Sequence, residues 1–116
     1  MVNVEIYYDG NQVKGFLAKG HAGAAPAGED LVCASISALT QTALLGLEAF
    51  LSLKPLWEID ENGYLKCWLP EGLSEADHKT AVVLIQTLEL GLESIEQGYG
   101  QYLKVSKRRW TKCCSK

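Results

Sequence analysis

The sequence has no basic opening followed by a sustained apolar run and a small-residue cleavage site. Met1-Val2-Asn3-Val4-Glu5 offers none of these, so a secretory leader is not expected. A run approaching the roughly 18 apolar residues needed to cross a membrane is not expected either. These two shortfalls point to a cytoplasmic protein without a membrane partner. Positive charge is also in deficit. Eleven basic against fourteen acidic side chains leave a net charge of -3, which argues against a general nucleic-acid binder with a strongly basic face. The four cysteines, Cys33, Cys67, Cys113 and Cys114, show no C-x-x-C spacing. Free thiols are therefore expected rather than bridges, with no metal centre and no cofactor.

What is present is the composition of one globular domain: 116 residues, 47% apolar and 22% charged. A chain of this size buries roughly two thirds of its unfolded surface, enough for a core without staples. The charge is unevenly placed. Residues 104–116 carry six basic side chains and no acid, so the remainder holds five against fourteen, or -9. The division expected is a domain over residues 1–106 and a basic tail over 107–116.

Val2, Val4, Ile6 and Tyr8 alternate on one face, Asp9-Gly10-Asn11 supplies turn chemistry, and a second run spans Gln12 to Lys19, the pattern of a hairpin. From Asp30 the period becomes helical through Val32, Ile36, Leu39, Ala43, Leu47 and Phe50, until Pro55 stops it. A second hairpin is signalled by Leu56–Asp60 and Tyr64–Leu69 about Glu61-Asn62-Gly63. Ser74-Glu75-Ala76-Asp77 then has capping-box spacing ahead of a stripe of Ala81, Leu84, Leu88, Leu92 and Ile95, closed by Gly98. Tyr99–Ser106 reads as a last strand. The expected order is ββαββαβ, an α+β fold with two long helices on one face of a mostly antiparallel sheet. Leu45-Gly46-Leu47-Glu48 recurs as Leu90-Gly91-Leu92-Glu93, which duplication or coincidence would both explain.

Chemistry concentrates in Gly20-His21-Ala22-Gly23 and Gly28-Glu29-Asp30-Leu31-Val32-Cys33-Ala34-Ser35-Ile36-Ser37. The spacing predicts His21 at a strand end and Cys33 in the first turn of a helix. Such a position lowers a thiol's pKa, a neighbouring imidazole takes its proton, and the helix end donates N–H groups to an oxyanion. Ala22, Gly23, Ala24, Ala25, Pro26, Ala27, Gly28 and Glu29 offer little to pack and read as a mobile loop between the pair. Asp30 either caps the helix or orients His21. Asp77 and His78 look like a solvated helix face. Trp57, Trp68 and Trp110 read as core or interface residues rather than base-stacking platforms.

These residues resemble a known family, the ribosomal-processing cysteine proteases called Prp (YsxB-like). Its pattern is Gly-His-Ala, a flexible loop, then Gly-x-Asp-(Ile/Val/Leu)-Val-Cys-Ala-(Ala/Ser)-x-Ser, which Gly20-His21-Ala22, Gly28 to Ala34 and Ser35-Ile36-Ser37 match without a gap. The resemblance implies a homodimeric endopeptidase. It would remove the amino-terminal extension of the precursor of large-subunit ribosomal protein twenty-seven, cutting after an aromatic pair. By position it makes Cys33 the nucleophile and His21 the general base, with Gly20, Asp30, Ala34 and Ser37 in support and residues 22–29 ordering over substrate. The competing expectation is a ribosome-associated binding or assembly module that uses the basic tail and needs no proteolysis.

Overall fold

The computed structural model describes residues 1–20, 27–61 and 64–111. Strands β1 (Val2–Asp9) and β2 (Gln12–Lys19) form the first hairpin, followed by helix α1 (Ala27–Phe50). Strands β3 (Leu56–Ile59) and β4 (Leu65–Trp68) form the second, followed by helix α2 (Glu75–Tyr99) and strand β5 (Leu103–Arg109). The sheet order is β3-β4-β2-β1-β5, antiparallel throughout except for the parallel β1–β5 pair. The expected α+β architecture is the one observed.

The alternation in β1 decides what faces the helices. Successive side chains point to opposite faces, so Val2, Val4 and Ile6 meet Phe16, Ala18, Leu65, Cys67 and Leu103 in one core. Each large apolar side chain fully buried there contributes about 1.5–3 kcal/mol. Val32, Ile36, Leu44 and Leu47 of α1 and Ala81, Ile85, Leu88 and Leu92 of α2 close the layer. Thr40, buried among them, donates its hydroxyl to the Ile36 carbonyl at 2.9 Å and so leaves no orphan donor. The stretch Leu31–Phe50 is long and apolar enough by composition to cross a membrane, contrary to the sequence expectation. Its apolar stripe covers the sheet.

The opposite sheet face carries Glu5, Tyr7, Trp68 and Arg108. Tyr7 and Trp68 meet edge to face with centroids 4.9 Å apart. Glu5, only 6% exposed, accepts from Arg108 Nε at 2.7 Å and from the Tyr7 hydroxyl at 3.1 Å. Gly15 sits beside an irregularity in the β1–β2 register, where a Cβ would collide with the Cys67 carbonyl.

Three boundaries depart from the sequence reading. First, α1 begins at Ala27 instead of Asp30, because alanine and glutamate are good helix formers even inside a stretch that looks like a small-residue loop. Second, α2 runs past Gly98 to Tyr99. Its cap is as expected, with Ser74 Oγ accepting from the Asp77 N–H at 3.1 Å. The Asp77 carboxylate does not close a box on Ser74 but accepts from the Ser52 N–H at 2.9 Å, tying the end of the α1 segment to the start of α2. Third, Lys107, Arg108 and Arg109 are strand residues and not a tail. They pair with Ile6, Tyr7 and Tyr8, and Trp110 continues the ladder by donating to the Tyr8 carbonyl at 2.7 Å. An eight-residue β1 rewards a partner of similar length, and the charges are met by carboxylates: Arg108 by Glu5, Lys107 by Glu89 at 3.8 Å. Residues 112–116 lie outside the described residues.

Candidate active site

Pairing of β2 with β4 sets Ala18 opposite Leu65 and so brings the turn end of the second hairpin beside α1. Between them lies a cleft of about 260 Å³. Its floor is Val2, Ala18 and Ile36, one wall is Cys33, Ser37 and Gln41 of α1, and the other is Ile59, Asp60, Glu61 and Tyr64.

Cys33 is a free, half-buried thiol that opens on this cleft. Ser37 follows one turn later on the same helix face. Cys67 is the contrast: it lies wholly within the core, where burial, assisted by the charge of Glu48, pushes its thiol up to about 12. A thiol held protonated is no nucleophile. Among the described residues, no group of three or more His, Cys, Asp or Glu side chains converges as metal ligands would.

The helix start differs from the sequence expectation in a way that matters for the chemistry. With α1 beginning at Ala27, the unpaired N–H groups belong to its first turn, residues 27–30, and Cys33 lies in the second turn. Its N–H is therefore spent within the helix and is not among the unpaired donors. Asp30 is inside the helix and does not occupy the capping position.

Gly20 lines the cleft at the end of β2 with φ 96°, and a Cβ there would stand 2.5 Å from the Met1 carbonyl oxygen. Only glycine fits, which fixes where the chain leaves the sheet toward His21. His21 and Ala22 to Pro26 lie outside the described residues, while Ala27, Gly28 and Glu29 of the expected loop belong to α1. Ala34 is exposed and does not line the cleft. Asp77 serves the cap and the Ser52 contact, and His78 is half-buried rather than fully solvated. Trp57 donates to Glu48 Oε2 at 3.1 Å, and Trp110 lies under the Lys14 ammonium.

Sequence reasoning missed the second-hairpin wall. Ile59, Asp60, Glu61 and Tyr64 carry no local motif, and only the β2–β4 register brings them to Cys33.

The family model of the cysteine protease Prp matches residues 1–104. The ribosomal processing cysteine protease Prp of Bacillus subtilis (strain 168) is 35% identical over 92 residues, covering 78% of this chain and 82% of that protein. Among solved structures, a protein from Streptococcus mutans superposes with a TM-score of 0.81 at 21% identity, covering 95% of this chain and 96% of its own. The essential ribosomal processing protease Prp from S. aureus, in complex with a substrate peptide, superposes with a TM-score of 0.79 at 23% identity, covering 93% and 100%. These two share the fold. With the match spanning almost the whole domain, and with a free thiol opening on a cleft between its two halves, this chain belongs to the Prp family of ribosomal-processing cysteine proteases.

Proposed function

We propose that this chain is a cytoplasmic, homodimeric endopeptidase that removes the amino-terminal extension of the precursor of large-subunit ribosomal protein twenty-seven. In this reading it cuts after an aromatic pair, with Cys33 as nucleophile and His21 as general base. The observation that carries the reading is that, of the two described thiols, Cys33 opens on a cleft large enough for an apolar side chain while Cys67 is sealed in the core.

The chemistry follows from the residue types. His21 takes the Cys33 proton, and Sγ bonds to the scissile carbonyl carbon, placing a negative charge on its oxygen. Collapse breaks the C–N bond, His21 returns the proton to the leaving amine, and a thioester remains. Water then adds to the thioester with His21 again as base, releasing the acid and the free thiol. Gly20, where only glycine fits, ends the sheet one residue before His21 in the chain. The apolar floor of Val2, Ala18 and Ile36 excludes water from beneath the reacting group.

Incubation of the purified protein with a peptide carrying the extension and its aromatic pair, read by mass spectrometry, tests the proposal. One cut after the pair, absent in Cys33→Ala, is the expected result; no cut with wild type overturns it. The exposed Leu45 and Leu90 on the helical layer provide apolar area for a second copy, and light scattering should return twice the monomer mass. Ribosome association through the basic end of the chain is the second reading. It has less to work with, since Lys107 and Arg108 already engage Glu89 and Glu5. Salt-sensitive ribosome binding that survives Cys33→Ala, without peptide cleavage by wild type, would favour it.

A further inference from the structure

The wall of the cleft opposite Cys33 has a chemistry of its own. Ile59, at the end of β3, keeps 43% of its surface exposed although it is large and apolar. It lines the cleft beside Tyr64, and immediately after it come Asp60 and Glu61. The described lining residues include these two carboxylates and no Lys, Arg or His. The Asp60 carboxylate is committed to the hairpin end, where its Oδ1 accepts from the Tyr64 N–H at 3.2 Å. Glu61 is exposed at the rim.

An exposed apolar side chain in a concave site next to a nucleophile is satisfied by a ligand's apolar group. Two carboxylates on a wall with low-dielectric backing focus a negative potential into the cleft. A basic side chain next to the seated apolar one would meet that negative potential.

We infer that the end of the β3–β4 hairpin is the specificity element of this protease. Ile59 and Tyr64 seat an apolar substrate side chain, and Glu61, with Asp60, reads a lysine or arginine close to it along the substrate chain. This rests on the cysteine protease reading, and its failure is separable from the failure of that reading.

The experiment compares kcat/KM for paired peptides that differ only in lysine against norleucine, placed in turn at each position flanking the cut. The wild type should prefer lysine at one of these positions by about three- to fivefold, the range of a solvent-accessible charge pair. Glu61→Gln should shrink that ratio towards one, as should raising the salt concentration. Ile59→Ala should lower kcat/KM for large apolar side chains more than for alanine in the seated position. Asp60→Asn, which keeps the acceptor for the Tyr64 N–H, serves as a second charge variant if Glu61→Gln folds poorly. Cleavage with equal lysine and norleucine rates at every position, or a lysine preference unchanged in both Glu61→Gln and Asp60→Asn, overturns the inference while leaving the protease reading intact. No cleavage of any peptide by wild type would strike the protease reading itself.

Discussion

Gly46 of α1 lies against Leu84 of α2, where a Cβ would stand 3.4 Å from the leucine methyl. The reciprocal contact is Gly91 of α2 against Leu39 of α1, also at 3.4 Å. Both glycines and both leucines are related by the same step of 45 residues. The step also carries the buried Ile36, Thr40, Ala43, Leu44 and Leu47 onto the buried Ala81, Ile85, Leu88, Glu89 and Leu92. The Leu-Gly-Leu stretches of the repeated tetrapeptides therefore share an environment, whereas Glu48 is half-buried and accepts from Trp57 while Glu93 is exposed.

Gly46→Ala should fit, because the methyl it meets belongs to the flexible end of Leu84. The gain in helix propensity, up to about 1 kcal/mol, should show as a small rise in the urea midpoint. Gly46→Leu overpacks the same contact and should lower stability by about 1–3 kcal/mol. Equal effects of the two substitutions would show that the helices do not approach closely here.

Thiol mapping separates the two described cysteines. Iodoacetamide followed by peptide mapping should modify Cys33 in the native protein and leave Cys67 untouched until urea unfolds it. Cys33→Ala should abolish cleavage, and His21→Ala should lower it by about two to four orders of magnitude.

Alkaline pH should unfold the protein earlier than its net charge suggests. Burial, then the Glu89 hydrogen bond and charge, raise the Tyr8 hydroxyl from 10.0 to about 12, and Cys67 is raised from 9.0 to about 12. Both groups are held protonated by the fold. Their contribution is complete below about pH 9 and is lost as the pH rises from there towards 12. The melting temperature should fall across that window in wild type and less steeply in Tyr8→Phe.

Truncation should distinguish strand from tail. The chain bears on this through its last strand, Leu103–Arg109. Ending it after Ser106 removes three ladder residues and leaves Glu5 without its 2.7 Å guanidinium partner, and should destabilise strongly. Arg108→Ala alone should cost about 1 kcal/mol, since the guanidinium is largely exposed and Tyr7 and Lys19 still reach Glu5.

The element order is written locally, because period-two and period-3.6 apolar patterns are local, as are the Gly10 turn and the Ser74 cap. The histidine–cysteine motif was legible for the same reason. What the sequence by itself could not determine was set by pairing at a distance. The β1–β5 register drew Lys107 to Arg109 into the sheet, where Glu5 and Glu89 meet their charge; a local reading of six cations sees only a tail. The β2–β4 register placed Ile59, Asp60, Glu61 and Tyr64 across the cleft from Cys33, residues with no motif to announce them. The start of α1 at Ala27 moved Cys33 into the second turn, because the helix propensity of Ala27 and Glu29 prevailed over the loop-like look of their neighbourhood.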